Sequence, residues 1–451
     1  MALKRTGSVT RITDGKTMKG HSVVDRAKLD FYKQVLRPDP SRTVVRPFEL
    51  GYPAGFDTGA SRNQQIVDRI LTLDDAELAR QFIGVSESLD EHHRDVDAML
   101  MRRFDQIAGG LSNVAAIKPD QRRLIGAYLS EEYAYEAAAL FNPSIVLHPD
   151  QSGLAAGALR FVMSLRGIGE GHVSSVTFRT GTWTPGGDLL VDPAGESSVA
   201  PIVDAPTDRG GATVNLHCGG SKSISETVLY PLLPSQKQGI EDMRLVRFVE
   251  DDGSVVYHGT YTAFSGAAVR SELLSGTDFR SFDMRALTGS AASGKGMALF
   301  PRKVGGRYAM LGRQDNENIW LHLSDDVLHW EGGEKIIRPR YPWEFVQMGN
   351  CGSPTEIDEG WLVMTHGVGT VRNYCIGACL LDKDDPTKLL ARTPRPVLAP
   401  APHERDGYVP NVVYSCGALV AGRTMLLPYA VADSFTAFAT ASIDDLLSVM
   451  E

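Results

Sequence analysis

Long hydrophobic runs are missing from this 451-residue chain. No stretch approaches the roughly 18 apolar residues of a membrane span, and the basic stretch from Met1 to Thr10 has no apolar segment of signal-peptide length. No membrane partner is expected, and the cytoplasm is the expected compartment. Cysteine is scarce and odd in number: Cys218, Cys351, Cys375, Cys379 and Cys416 are scattered, which excludes a disulfide framework. Cys375 and Cys379 lie in an apolar run with no second Cys/His pair nearby, so they read as core packing. His92 and His93 are adjacent and point apart on a helix. No metal site is expected. Positive charge is also in deficit, with 46 Lys and Arg against 55 Asp and Glu for a net charge of -9. Nucleic-acid binding rests on clustered Lys and Arg that neutralise phosphates, so no nucleic-acid partner is expected.

What is present changes period near residue 132. From about Asn63 to Leu129 the apolar residues fall at helical spacing: Ile66, Ile70 and Leu71, then Leu78 and Phe82 after an Asp74-Asp75 cap, then Val96, Met99, Leu100 and Phe104 in a segment of roughly 89–107. The first sixty residues show no clear period and read as an arm with one extended segment near Val44 to Phe48. After Glu132 the period becomes two. Five strand endings in polar turns recur, at Thr177–Gly181, Leu274–Phe279, Leu323–Trp330, Leu381–Pro386 and Ser442–Leu446. The third unit shows short strands at Met297–Pro301, Tyr308–Gly312 and Ile319–Leu323. The first interval carries an insertion, Gly181 to Gln238. The glycine content, 45 residues, suits many tight turns. The expected fold is mainly β: a five-bladed β-propeller over residues 132–451, with an arm and α-helical N-terminal extension over residues 1–131.

In a propeller the innermost strand of each blade lines the channel, so the residues that open those strands converge. The openings are Phe141-Asn142-Pro143-Ser144, Ile240-Glu241-Asp242-Met243-Arg244, Gly294-Lys295-Gly296-Met297, Gly352-Ser353-Pro354-Thr355-Glu356 and Val409-Pro410-Asn411-Val412-Val413. A funnel lined by Asn, Asp, Glu, Lys and Arg suits a polyhydroxylated sugar, whose hydroxyls must each find a donor or acceptor on desolvation.

These segments resemble glycoside hydrolase family 130, the β-mannoside phosphorylases and β-mannosidases, over roughly Phe141 to the C-terminus. The likeness is carried by Gly239-Ile240-Glu241-Asp242-Met243-Arg244, Ala298-Leu299-Phe300-Pro301-Arg302-Lys303, Gly360-Trp361-Leu362-Val363-Met364-Thr365-His366-Gly367, Asp384-Asp385-Pro386, Gly407-Tyr408-Val409-Pro410-Asn411 and Tyr429-Ala430-Val431-Ala432-Asp433. Met243 stands where the family usually has proline. The resemblance implies Asp242 as general acid, delivering its proton through a sugar hydroxyl. Burial beside Glu241 is expected to raise its pKa, and Arg244, on the same strand face, to lower it.

The resemblance further implies that phosphorylases hold phosphate with an Arg-Asn pair, a Lys before Gly-Trp and the histidine of the His-Gly motif. Here those positions read Lys295-Gly296, Glu356 and His366. A carboxylate in place of the lysine repels an anion, which favours an inverting hydrolase of β-1,2-mannosides with Glu356 as the base that activates water. Glu170, in a Gly-rich turn, is the reserve base. Glu241, Arg244 and Lys295 count as substrate contacts, Arg166 as a substrate or anion contact and His366 as a sugar or nucleophile contact. Asn142, Asn411 and Asp433 resemble positions that hold the non-reducing mannose, and Tyr408 is the rim aromatic. No cofactor is expected; inorganic phosphate enters as co-substrate only on the alternative reading, a β-mannoside phosphorylase releasing mannose 1-phosphate. Two other readings stay open: a carbohydrate-binding propeller without catalysis, and a partner-binding protein, with a second copy docking through the helical extension.

Overall fold

The computed structural model describes residues 27–48, 50–52, 61–204, 213–402 and 405–451. Part of the expected N-terminal arm, residues 1–26, and part of the insertion, residues 205–212, lie outside the described residues. The molecule is mainly β. Its helices fall at Arg62–Ile70, Asp75–Leu89, Val96–Ala108, Pro119–Tyr128 and Ile443–Ser448. Asp74 caps the second through a hydrogen bond from the Glu77 amide at 2.8 Å. The long segment expected over 89–107 divides there, and a new helix starts at Val96. The first four helices bury a shared apolar stripe of Val67, Ile70, Leu78, Phe104, Leu124 and Ile125. Among the described residues no helix is long and apolar enough to cross a membrane.

Among the described residues the strands form five hydrogen-bonded sheets, none closed on itself. Within them five antiparallel units follow in chain order. The first runs Ala139–Leu147, Leu159–Ile168, Ser174–Trp183 and Leu189–Val191. The second runs Gly239–Val249, Val255–Phe264, Val269–Gly276 and Ser281–Ala286, and the insertion adds Thr213–His217 to its edge. One parallel pairing, Gly239 with Ser174, fuses these two units into a single sheet. The third runs Lys295–Leu299, Tyr308–Arg313, Ile319–Ser324 and Glu334–Ile337, and the fourth Gln347–Asn350, Gly360–Val368, Tyr374–Leu381 and Leu389–Arg392. The segment Thr177–Gly181, expected to end a strand, instead lies inside Ser174–Trp183.

The fifth unit takes its outer strand from the N-terminus. Val413–Tyr414, Thr424–Val431 and Phe435–Ser442 are completed by Asp30–Leu36, which pairs antiparallel with Phe435–Ser442. The Tyr32 hydroxyl on that strand donates to the Gly187 carbonyl at 3.0 Å and accepts from Trp183 Nε1 at 3.2 Å, both in the first unit. Deeper in, the Leu140 amide reaches the Ser434 carbonyl at 3.0 Å, and Thr436 Oγ1 donates to the Leu140 carbonyl at 3.0 Å. The last unit therefore packs against the first. Extended segment Thr43–Pro47 pairs with Ser130–Ala134 and ties the helical region to the sheets.

Strands buried on both faces read as continuous apolar runs rather than alternating ones. Gly360–Val368 is buried at every position, and its neighbour Tyr374–Leu381 carries Cys375 and Cys379 into the core. All five cysteines are buried and none forms a disulfide; burial pushes the thiols of Cys218, Cys351 and Cys379 up to about 12. They act as packing.

Candidate active site

The innermost strands of the first three units share a local irregularity at their openings. The pairing register slips between Phe141 and Ser144, between Glu241 and Arg244, and between Lys295 and Ala298. At each slip one residue adopts positive φ: Asn142 at 49°, Asp242 at 53° and Gly296 at 83°. Such β-bulges re-aim side chains and are common next to active sites. Asn, Asp and Gly are the residues that tolerate this conformation most cheaply, which is why the bulges carry them. In the fifth unit Asn411, just before Val413–Tyr414, and Asp433, in the turn between Thr424–Val431 and Phe435–Ser442, also take positive φ, at 64° and 49°.

The bulges bring the expected residues together. Asp242 Oδ1 accepts from Asn142 Nδ2 at 2.6 Å and from Arg166 Nη1 at 3.1 Å. Arg166 Nη2 reaches Glu241 Oε1 at 2.8 Å, and Lys295 Nζ reaches Glu241 Oε2 at 3.1 Å. Arg244 lies beneath: it donates to the Asp242 carbonyl at 3.0 Å, to the Cys351 carbonyl at 3.0 Å and to the Tyr414 hydroxyl at 2.9 Å. His366 Nε2 accepts from Arg313 Nη1 at 3.0 Å, and its ring packs on Tyr374 and Tyr414 at centroid distances of 6.1 and 5.0 Å.

Burial alone would raise the Asp242 carboxyl, but Arg166, Arg244, the Asn142 hydrogen bond and Lys295 outweigh it and hold the group below its usual value. The elevated acid expected from the sequence is therefore not found in the unliganded protein: the cations around Asp242 are more numerous than its one carboxylate neighbour in sequence suggested. Asp433 behaves in the opposite way. Burial, then the charge of Asp242, push it up to about 6 against the pull of Arg166 and Arg372. His366 is held well below its usual value by burial and then by Arg313 and Arg244, so it is neutral at pH 7 and can accept from Arg313. Arg166, Arg244, Lys295, Arg313 and Arg372 thus outnumber Glu241, Asp242 and Asp433, leaving an excess of positive charge. Asn142 Oδ1, Asn350 Oδ1 and Arg313 Nε are buried without a hydrogen-bond partner, which a bound ligand could satisfy.

Two sequence candidates fall elsewhere. Glu356 pairs with Trp361 at the far end of the hairpin whose other end pairs His366 with Gly349. Its carboxylate is gripped by Arg302 through two bonds of 2.8 Å and by Lys383 at 3.1 Å, which lower it to about 2. That position, at the opposite end of the inner strands from Asp242, removes Glu356 from the role of base and removes its repulsion from any anion beside Asp242. Glu170 is exposed on the turn joining Leu159–Ile168 to Ser174–Trp183. Tyr408, 64% exposed, lies at the same rim with its hydroxyl 3.4 Å from His172 Nδ1.

Sequence reasoning missed Arg313, Asn350, Arg372, Tyr374 and Tyr414. The signal for Arg313 was within reach: Tyr308–Arg313 extends one residue past the expected Gly312, and the register sets Arg313 opposite Lys295. No group of three or more potential metal ligands occurs among the described residues.

Comparison with known proteins adds an independent line. A family model described as beta-1,4-mannooligosaccharide phosphorylase matches residues 220–451. A 1,2-beta-oligomannan phosphorylase from Thermoanaerobacter sp. is 33% identical over 214 residues, covering 46% of this chain and 70% of that protein. A beta-1,2-mannobiose phosphorylase from Listeria innocua is 33% identical over 232 residues, covering 49% of this chain and 63% of that one. In fold, the chain is similar to the structure of the Listeria innocua beta-1,2-mannobiose phosphorylase in complex with beta-1,2-mannobiose, with a TM-score of 0.52 at 22% identity over 70% of this chain and 92% of that one. A putative glycoside hydrolase from Parabacteroides distasonis gives a TM-score of 0.51 at 20% identity, covering 69% of this chain and 89% of that one.

Proposed function

The chain belongs to glycoside hydrolase family 130, and from that premise we propose that it is an inverting β-mannoside phosphorylase acting on β-1,2-linked mannosides, with inorganic phosphate as co-substrate and α-mannose 1-phosphate as product. The observation that carries this reading is the excess of positive charge beside Asp242, where Arg313 and Lys295 pair across adjacent strands and Arg313 contacts His366. An anion is the ligand that such a cluster favours. Hydrolysis loses its main support, because the argument for it rested on Glu356 acting next to Asp242.

On this reading the five units are blades around one axis, and the fifth closes onto the first through Leu140, Ser434 and Thr436. Asn142, Asn411 and Asp433 hold the terminal mannose by its hydroxyls. Both side-chain hydrogen bonds to Asp242 fall on Oδ1, leaving Oδ2 to carry the proton toward the leaving group. Phosphate, held by Arg313 and Lys295 with His366 as a neutral partner, attacks the anomeric carbon from the opposite face, which inverts its configuration. Phosphate also neutralises cations that keep Asp242 ionised, so its arrival raises the pKa of the acid that the reaction needs protonated.

The reverse reaction tests the reading. With α-mannose 1-phosphate as donor and mannose as acceptor, the enzyme releases inorganic phosphate and forms a β-mannobiose. Asp242→Asn lowers that rate by ~10²–10⁴, and Arg313→Ala lowers it through the donor's phosphate. Absence of phosphate release alongside hydrolysis of β-mannobiose would refute the assignment.

A further inference from the structure

At the other ends of the same inner strands lies a cavity of about 420 Å³, within the ~300–1,000 Å³ usual for small-molecule sites. Each of the five units contributes one apolar wall residue or more, among them Leu147, Val249, Pro301, Pro354 and Leu419. The cavity is separate from the Asp242 cluster. Between them the Leu245 amide donates to Ser144 Oγ at 2.9 Å and the Cys416 amide to the Pro143 carbonyl at 2.8 Å, and Ser144, Cys351 and Cys416 are fully buried.

The polar groups in this wall are few and of one dominant sign. Arg302 and Glu356 neutralise one another, and Lys383 adds a second cation to the same carboxylate. Arg247 also lines the cavity; its side chain hydrogen-bonds to Tyr257, and no carboxylate pairs with it among the described residues. Ser353, in the same wall, has a buried hydroxyl without a hydrogen-bond partner. Aliphatic walls, a guanidinium without a counter-ion and an unsatisfied hydroxyl define the ligand that would complement them.

We propose that this cavity binds a small amphipathic carboxylate, with its aliphatic body against the apolar walls and its carboxylate recognised by Arg247 and Ser353. The site is independent of the sugar chemistry, and its occupant does not compete with substrate.

Calorimetric titration of the full chain with octanoate tests this. Saturable binding at one site is expected, unchanged by saturating α-mannose 1-phosphate. Arg247→Leu weakens it at least tenfold, Arg247→Lys restores it to within a few-fold, and Val420→Trp, which fills the cavity, abolishes it while thermal unfolding confirms that each variant folds. Octanol, the uncharged counterpart, binds at least tenfold more weakly than octanoate. No saturable binding, displacement by α-mannose 1-phosphate, equal binding of octanol, or full affinity in Arg247→Leu would each overturn the proposal.

Discussion

Asp242 and Asp433 face one another across the same cluster in opposite electrostatic states. Arg166, Arg244 and Lys295 overcome burial at Asp242, while burial and Asp242 itself dominate at Asp433. An anion that neutralises the cations removes what holds the Asp242 carboxyl down, so burial then pushes it up. Sulfate is therefore expected to bind more weakly to Arg313→Ala than to the unaltered protein, measured by calorimetry; equal affinity would contradict an anion site at this cluster. At Asp433 the folded pKa lies above the unfolded one. The folded state binds the extra proton, so stability is full below the ordinary carboxylate range and falls as pH rises toward about 6. Asp433→Asn should gain roughly 1–3 kcal/mol at pH 7.5 and little at pH 4, read by calorimetric unfolding at both; an equal gain at both values would contradict the account. Glu356→Gln should leave turnover within a factor of a few, whereas a catalytic base would lose orders of magnitude.

Strand openings explain why part of the site could be read before the fold was seen. The third unit's strands follow from alternation and Gly-rich turns, Asn142 and Lys295 stand out because a polar residue beside Pro or Gly opens an apolar strand, and Asp242 stands out through the family resemblance of Glu241-Asp242-Met243-Arg244. What alternation cannot supply is register. Arg313 joins the site only because it pairs with Lys295, and Glu356 leaves it only because it pairs with Trp361 rather than lying near His366. Asp30–Leu36 escaped notice for a similar reason: its burial is intermittent and its partner strand lies at the other end of the chain. That strand ties the fifth unit to the first through Tyr32. Tyr32→Phe leaves the Trp183 indole N–H, on a fully buried ring, without its acceptor. A loss of ~1–3 kcal/mol in denaturant unfolding is expected, and a change near zero would show that the closure does not depend on this contact.

The whole molecule carries a net charge of -9 while its proposed catalytic end carries an excess of cations. On the proposed function that local field, rather than the global one, selects the co-substrate, and the two ends of the inner strands differ: Asp242 at one, the Arg302–Glu356 pair at the other. The central claim is that phosphate, not water, attacks the sugar beside Asp242. Phosphorus NMR of β-1,2-mannobiose turnover, run in phosphate buffer made with heavy-oxygen water, tests it most directly. The account predicts growth of an α-mannose 1-phosphate signal, mannose released in equal amount, and no heavy oxygen in the mannose 1-phosphate. Two mannoses released per mannobiose, with no growth of an α-mannose 1-phosphate signal, would contradict it.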